Sequence, residues 1–299
     1  MKFGVNTYIW GSTFGPADFH LLPRIPASGF DGIEVPILDP ASFQADAIAR
    51  ELDRIGLART AVANVPGGSS LASSDPGQRQ RARDHVAACV RAARDLGAAQ
   101  LSGPMYTPVG FLTGRRRTTE EWQWAVDSWQ QLAPAVETAG VEIGIEPLNR
   151  FETYLINRGD QALALADAVG PNCGVCLDLF HMNIEESDIL GAFRKCKGRI
   201  YDVHIADNNR FAPGMGTLDF RAIVETIRST GYDGALTLEF VATVDRTPAS
   251  PYGDQVETKL VDVTPEQMKF IIDHGSNLLS DTFYTGLFQQ SVKVLRPLI

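Results

Sequence analysis

Short apolar runs alternate with amphipathic stretches along almost the whole chain. Each run has the length of a buried strand, and between the runs apolar residues recur every three or four positions, which is typical of helices with one buried face. The predicted strands are Phe3–Trp10, Gly32–Pro36, Ala58–Val65, Ala99–Met105, Glu142–Pro147, Gly174–Phe180, Ile200–Ala206 and Ala235–Phe240. The predicted helices include Arg79–Leu96, Glu120–Ala139, Asp160–Val169, Ile189–Lys197 and Phe220–Ser229. This alternation indicates repeated βα units and therefore parallel strands.

Two folds with parallel strands, a barrel and a doubly wound sheet, can be distinguished by the number of strand–helix units. Eight strand–helix units in about 240 residues are what a (β/α)₈ TIM barrel requires. A doubly wound sheet would place a glycine-rich turn after its first strand, and the segment Trp10–Gly15 does not have the spacing G-x-G-x-x-G. Composition does not change along the chain, so we expect one α/β domain over residues 1–299. A helical extension is predicted from about Pro265 to Leu279, with a further stretch at Leu287–Leu295.

Composition and charge exclude several classes of function. The chain has 27 Lys and Arg against 36 Asp and Glu, a net charge of −9, which opposes binding to the phosphates of a nucleic acid. No run approaches the roughly 20 apolar residues that span a bilayer, and the first residues do not have the pattern of a secretory signal. Four cysteines are too few for a disulfide scaffold. We therefore expect a cytoplasmic protein that binds neither membranes nor nucleic acid.

Four consecutive predicted strands each carry an ionisable side chain near their carboxyl ends. These residues are Glu146, Asp178, His204 and Glu239. A barrel enzyme builds its active site at the carboxyl ends of its strands, and buried carboxylates that converge there need a counter-charge. Carboxylate and imidazole ligands suit hard or borderline cations. The pattern predicts one divalent cation, Mn²⁺ first, with Co²⁺ and Mg²⁺ as alternatives.

The residues around these positions carry a family resemblance. They are similar to the ketose 3-epimerases, the group of D-tagatose, D-psicose and L-ribulose 3-epimerases among the xylose-isomerase-like barrels. The matching segments are Glu146–Glu152, Asp178–Glu186, His204–Arg210, Pro213–Gly216 and Leu238–Glu239. The resemblance covers roughly residues 1–245 and implies an isomerase that inverts C3 of a free ketose. We expect a small sugar as the substrate and a homodimer or homotetramer as the assembly.

The resemblance also assigns roles at the cation. It implies that Glu146, Asp178, His204 and Glu239 are the metal ligands and that the two glutamates are the acid/base pair. Removal of the C3 proton gives an enediolate, whose charge a metal stabilises as a Lewis acid. Inversion then requires a base on each face of the planar intermediate. Two glutamates at one cation meet that requirement.

Other residues are expected to hold the sugar. By resemblance, the positions that bind the oxygens around O1 to O3 are Glu152, His181 and Arg210. Aromatic residues are candidates for an apolar wall beside the distal sugar carbons, and they are Tyr8, Trp10 and Trp122. The run Arg115–Arg117 is either a phosphate site or, more commonly for such runs, a solvated basic loop.

Other chemistries on the same fold stay open at this point. An aldose–ketose isomerase, an inositol-pathway isomerase or dehydratase, and a lyase acting on a 3-keto sugar would all use the same metal and base. The pair of Glu152 and His181 favours the epimerase. An endonuclease acting on abasic DNA would need a basic groove, which the net charge of −9 opposes. A non-catalytic sugar-binding protein would need no acid/base pair.

Overall fold

Eight parallel strands pair in chain order and close on themselves in the computed structural model, which describes residues 1–240 and 281–299. The strands are β1 (Lys2–Asn6), β2 (Gly32–Pro36), β3 (Ala58–Val62), β4 (Gln100–Gly103), β5 (Glu142–Ile145), β6 (Cys173–Asp178), β7 (Ile200–Ile205) and β8 (Ala235–Leu238). Most of their residues are buried, because side chains fill the inside of the barrel and helices cover the outside. The predicted (β/α)₈ barrel is confirmed.

Helices connect the strands. They are α1 (Arg24–Ala27), α2 (Ala45–Ile55), α3 (Pro76–Leu96), α4 (Thr119–Ala139), α5 (Gly159–Val169), α6 (Leu179–Glu185), α7 (Ile189–Lys195), α8 (Phe220–Ser229) and α9 (Asp281–Leu295). Short 3₁₀ helices lie at Thr7–Ile9, Pro16–Leu21 and Arg296–Leu298. The predicted helices correspond to α3, α4, α5, α7 and α8. Within the described ranges, no helix combines the length and the apolar character needed to cross a membrane.

Side-chain caps determine where the two longest helices begin. Asp75 accepts the Gly77 N–H at 2.8 Å ahead of α3, whose first residue is a proline. The Thr118 hydroxyl accepts the Glu121 N–H at 3.2 Å, while the Glu121 carboxylate accepts the Thr118 N–H at 2.7 Å, so that a capping box starts α4. Because α3 follows β3 and α4 follows β4 in the chain, both helices begin at the carboxyl end of the barrel.

Several predicted strands extend too far, because parallel pairing stops where the chain turns away from the barrel rim. β1 ends at Asn6, and the 3₁₀ helix Thr7–Ile9 replaces the rest of the predicted strand. β3 and β4 also end before their predicted last residues. β6 ends at Asp178, whose carboxylate accepts the Phe180 N–H at 2.7 Å and thereby starts α6.

Glycines end three of the helices. Gly56, Gly97 and Gly140 follow α2, α3 and α4 in the left-handed conformation, with φ of 78°, 76° and 66°. Gly103 has a different role at the end of β4. Its φ is 127°, and a Cβ there would lie 2.1 Å from the carbonyl oxygen of Ala63. Only glycine fits at this point of close approach between two strands.

The C-terminal part of the chain is described from residue 281 onward. The predicted helical stretch Pro265–Leu279 lies outside the described residues. The stretch Leu287–Leu295 is confirmed, since it forms most of α9. After α9, the Arg296 guanidinium donates two hydrogen bonds to the Asp31 carboxylate at 2.7 and 2.8 Å. This ion pair connects the end of the chain to the segment that precedes β2.

Phe288 joins α9 to the barrel. Its buried ring has centroid distances of 5.3 Å to Phe30, 5.9 Å to Trp10 and 6.2 Å to Phe240. Trp10, a candidate for the apolar wall of the sugar site, meets this ring edge-on. The helix is therefore held against the barrel by an aromatic cluster.

Replacing the Phe288 ring tests this packing. Phe288→Ala is expected to lower the free energy of unfolding by about 3–5 kcal/mol, because it removes buried area and leaves a cavity. Urea denaturation followed by circular dichroism measures the change. The matched control is Phe151→Ala, whose ring is 69% exposed and whose loss should cost less than about 0.5 kcal/mol. Equal effects of the two substitutions would contradict the packing.

Candidate active site

Four ionisable side chains meet at the carboxyl end of the barrel. Asp178 is the last residue of β6 and pairs in register with His204 on β7, so the two side chains point to the same side of the sheet. Glu146 and Glu239 each lie one residue beyond the ends of β5 and β8. One ligand atom from each of the four lies within 4.8 Å of those of the other three. The fold therefore brings together all the residues that were predicted to bind a metal.

His204 has contacts with both glutamates of this cluster. Its Nδ1 lies 2.7 Å from Oε2 of Glu239 and 3.2 Å from Oε1 of Glu146. Oδ2 of Asp178 is buried and has no hydrogen-bond partner among the described residues. A buried carboxylate oxygen without a donor is costly, and a cation would supply the missing partner. Three carboxylates and one imidazole suit a divalent cation such as Mn²⁺, Co²⁺ or Mg²⁺.

Burial shifts the protonation equilibria of these groups. It raises the pKa of Asp178 to about 8, and the charges of Glu239 and Glu146 add to the effect. It also raises the pKa of Glu146, although the charge of His204 acts in the opposite direction. Burial by itself lowers the pKa of His204, but the acidic groups around the ring raise it well above its usual value. Near neutral pH the cluster therefore holds protons that a bound cation would displace.

Asn149 sets the orientation of His181. Nδ2 of Asn149 donates to Nδ1 of His181 at 2.9 Å, and the Asn149 backbone N–H approaches the same nitrogen at 3.3 Å. Because Nδ1 accepts, Nε2 carries the ring proton, and it lies 3.6 Å from Oδ2 of Asp178. Burial and the charges of Arg210 and His204 lower the pKa of His181 well below its usual value. His181 is thus a neutral donor beside the cluster.

Glu152 and Arg210 lie next to each other on different loops. Oε1 of Glu152 accepts hydrogen bonds from Nδ2 of Asn149 at 2.8 Å and from Nη1 of Arg210 at 3.4 Å. The Arg210 guanidinium lies over the Phe180 ring, 4.7 Å from its centroid, a cation–π contact. Nε of Arg210 is buried and forms no hydrogen bond within the described ranges. Glu152 therefore offers a hydrogen-bond acceptor, and Arg210 offers a donor, its Nε, that no described group uses.

Asp207 holds the loop that carries Arg210. The backbone of Arg210 has φ of 58°, a conformation that few residues other than glycine adopt. The Asp207 carboxylate accepts the N–H groups of Gly214, Gly216 and Leu218 at 2.9, 2.8 and 3.2 Å. A Cβ on Gly216 would lie 2.3 Å from Oδ1 of Asp207. The loop is therefore built around one buried carboxylate, which supports the unusual backbone of Arg210.

Comparison with known proteins agrees with the barrel fold. The family model described as xylose isomerase-like TIM barrel matches residues 23–261. The chain belongs to the xylose isomerase-like TIM barrel family.

Several curated relatives of this chain are named as ketose 3-epimerases. An L-ribulose 3-epimerase of Mesorhizobium japonicum is 31% identical over 240 residues, which are 80% of this chain and 80% of the relative. A D-psicose 3-epimerase of Ruminiclostridium cellulolyticum is 29% identical over 246 residues, 80% of this chain and 83% of the relative. The crystal structure of a D-allulose 3-epimerase from Methylomonas sp. with D-allulose superposes with a TM-score of 0.84 at 23% identity, covering 100% of this chain and 97% of that one. The resemblance to ketose 3-epimerases and the prediction of an isomerase are confirmed.

Besides Trp10, the two other aromatic candidates, Tyr8 and Trp122, differ in position. Tyr8 is buried in the 3₁₀ helix after β1, and burial with the charges of Glu239 and Glu34 raises its pKa well above the usual value. Its phenol therefore stays neutral beside the cluster. Trp122 on α4 is half-buried under the Arg117 guanidinium, 4.2 Å from the ring centroid, and no described contact joins it to the cluster. The roles of both in sugar binding stay predictions.

The basic run Arg115–Arg117 is engaged with protein groups. The Arg115 guanidinium donates two hydrogen bonds to the Glu121 carboxylate at 2.8 and 2.9 Å. Arg117 donates to the carbonyl oxygen of Leu155 at 2.5 Å. These contacts favour a structural loop over a phosphate site.

Four side chains that support the site were not predicted from the sequence. They are Glu34, Asp202, Asn149 and Asp207. Glu34 and Asp202 had a detectable signal, because each is an acid within an apolar strand, and Asp202 lies two positions before His204 on the same face. Asn149 contacts His181, 32 residues away in sequence, while Asp207 accepts N–H groups 7 to 11 residues away in its own irregular loop. Periodicity predicts neither set of contacts.

Cation binding should release protons. Asp178, with its pKa raised to about 8, is mostly protonated at pH 7 in the metal-free protein and must lose that proton to bind a cation. We expect release of more than one proton per Mn²⁺ at pH 7, because His204, whose pKa is raised well above its usual value, must also lose a proton to coordinate. The release should become smaller as the pH rises above the pKa of Asp178, about 8. Titration calorimetry in two buffers of different ionisation enthalpy measures the number.

The matched variant for this measurement is Asp178→Asn. It keeps the shape of the side chain but has no proton to release, so it should bind Mn²⁺ more weakly and release fewer protons. Tight Mn²⁺ binding by the unmodified protein at pH 7 without proton release would contradict the protonated cluster.

Proposed function

We propose that the chain is a metal-dependent epimerase that inverts C3 of a free ketose. Relatives named as L-ribulose and D-psicose 3-epimerases, each aligned with 80% of the chain, support this activity. The observation that carries the proposal is the position of two glutamates at one imidazole nitrogen. Oε1 of Glu146 and Oε2 of Glu239 lie 3.2 and 2.7 Å from Nδ1 of His204. Two carboxylates at one candidate cation site provide two bases for one carbon.

A divalent cation would be held by Glu146, Asp178, His204 and Glu239. When bound, it stabilises as a Lewis acid the negative charge that develops on neighbouring sugar oxygens. We expect Mn²⁺ first, with Co²⁺ and Mg²⁺ as alternatives, because all three suit carboxylate and imidazole ligands.

Glu146 and Glu239 are the acid/bases of the proposed reaction. One carboxylate takes the proton from C3, which leaves a planar enediolate, and the other side chain gives a proton to the opposite face of that carbon. Burial raises the pKa of Glu146, and a raised pKa makes its carboxylate a stronger base. The two glutamates follow β5 and β8, which are not neighbours in the barrel. Approach from two sides is what inversion requires.

Other side chains would hold the sugar at the cluster. His181 would donate through Nε2 to an oxygen at the C1–C2 end, and Glu152 would accept a hydrogen bond from a hydroxyl there. Arg210 would donate through its buried Nε to an oxygen nearer C3. Tyr8 and Trp122 would pack against the distal carbons. A free ketose presents hydroxyl groups to each of these polar partners.

Incubation of Mn²⁺-loaded protein with single ketoses in D₂O tests the reaction class. We expect L-ribulose or D-psicose to give its C3 epimer with deuterium at C3, because the returning proton comes from a carboxylic acid that exchanges with solvent. NMR of the product locates the label. A chelator should abolish conversion, and Mn²⁺ or Co²⁺ should restore it. Deuterium at C1 with an aldose product would indicate an aldose–ketose isomerase instead, and full activity of metal-free protein would overturn the metal dependence.

The variants Glu146→Gln and Glu239→Gln test the two-base mechanism. Each removes one base, so net inversion should be lost, while the remaining base can still exchange the C3 proton of one epimer. We expect one variant to label one epimer and the other variant to label the second epimer. Bound Mn²⁺ is measured in each variant, so that loss of metal is distinguished from loss of a base. Equal labelling of both epimers by both metal-loaded variants would contradict the assignment.

A further inference from the structure

The side of His204 that faces away from Glu146 and Glu239 is also occupied by carboxylates. Nε2 of His204 lies 3.1 Å from Oε2 of Glu34 and 3.7 Å from Oδ2 of Asp202. It is buried and has no other partner among the described residues, and its direction toward these oxygens is outside hydrogen-bond geometry. His204, Glu34 and Asp202 are completely buried. The imidazole is therefore enclosed between two pairs of carboxylates, one pair at each ring nitrogen.

The barrel holds Glu34 and Asp202 in place from several strands. Glu34 on β2 pairs in register with Asn6 on β1, and Nδ2 of Asn6 donates to Oε2 of Glu34 at 2.8 Å. The Thr60 hydroxyl on β3 donates to Oε1 of Glu34 at 3.3 Å. Oδ1 of Asp202 accepts the Val203 N–H at 2.8 Å, and its Oδ2 has no hydrogen-bond partner within the described ranges. Both carboxylates thus keep acceptor capacity for His204.

We propose that Glu34, with Asp202 beside it, is a positioning residue that keeps a proton on Nε2 of His204 and leaves the lone pair of Nδ1 for the cation. This inference rests on the proposed cation site. Both ring nitrogens face carboxylates, but a cation held by Glu146 and Glu239 would exclude a proton from Nδ1. A neutral imidazole carries only one ring proton, and the acceptors close to Nε2 then hold it there. Nδ1, which faces Glu146 and Glu239, is then the coordinating atom. Partners of this kind orient metal-bound histidines and raise their basicity.

A purely structural role for Glu34 makes a different prediction. If the carboxylate only filled space and satisfied Asn6, its replacement would lower stability without a specific effect on the cation. A buried carboxylate remote from His204 serves as the comparison. Glu121 is such a group, since it is buried and accepts hydrogen bonds from Arg115 at 2.8 and 2.9 Å.

The test measures Mn²⁺ affinity by electron paramagnetic resonance of the free ion. Glu34→Gln keeps the side-chain shape but replaces one acceptor oxygen by an amide group, which can donate to Nε2 and favour the wrong tautomer. We expect its Mn²⁺ affinity to fall by about 10- to 100-fold, with a smaller fall in Asp202→Asn, whose oxygen is farther away. Glu121→Gln should stay within about twofold of the unmodified protein. Thermal unfolding of each metal-free variant reports the loss of stability separately.

Nitrogen-15 NMR of selectively labelled histidine provides a readout that is independent of activity. With Mg²⁺ as the diamagnetic probe, Nε2 of His204 should carry a proton and Nδ1 should not. Mn²⁺ affinity of Glu34→Gln within twofold of the unmodified protein, or a proton on Nδ1 in the Mg²⁺-loaded protein, would overturn the proposal. Where Glu34→Gln does not fold, Asp202→Asn decides, and unchanged Mn²⁺ affinity in that variant overturns the proposal equally.

Failure of the proposed cation site would be visible in the same experiments. It would appear as absence of Mn²⁺ binding in the unmodified protein. The positioning role is then tested by the spectra of the metal-free proteins. It is supported if the Nε2 proton of His204 is protected from solvent exchange in the unmodified protein but not in Glu34→Gln. Equal exchange of that proton in both proteins overturns it.

Discussion

The enclosure of one imidazole by five buried carboxylates is the constraint on which the site depends. The carboxylates belong to Glu34, Glu146, Asp178, Asp202 and Glu239, and the imidazole is that of His204. Carboxylates taken out of water are expensive unless a positive charge or a proton accompanies them. The raised pKa of Asp178 and Glu34, each about 8 and each caused chiefly by burial, expresses this cost. Near neutral pH protons offset this cost, and a divalent cation would replace them as the counter-charge.

The two histidines of the site show how local surroundings select a charge state. His204 is buried among acids, which raise its pKa despite burial. His181 is equally buried, but its charged neighbours are Arg210 and His204, so its pKa falls. The same side chain is thus a charged or metal-binding group at one position and a neutral donor a few ångströms away. The difference in pKa follows from the charged groups that surround each histidine at its position in the fold.

Some residues of the site lie on rigid strands, and others lie on loops that buried side chains support. Strand register places Asp178 beside His204 and Asn6 beside Glu34. The relative position of the two residues in each pair is therefore fixed by backbone hydrogen bonds between neighbouring strands. The groups proposed to hold the sugar lie on loops, which are held by buried polar side chains. Asn149 donates hydrogen bonds to both His181 and Glu152, and Asp207 holds the loop that carries Arg210. Loops supported in this way keep a geometry that loop sequences alone do not impose.

The sequence by itself determined the barrel, its helices and the residues at the ends of β5 to β8, because those features follow from local periodicity, glycine caps and the common position of strand ends. Only the tertiary structure decided which other side chains contact the residues at those strand ends. Glu34 reaches His204 through closure of the barrel, since β2 and β7 are far apart in the chain. Asn149 and Asp207 act through loop contacts that local pattern does not encode. Trp122 likewise rests against Arg117, because the start of α4 folds back on its own preceding loop.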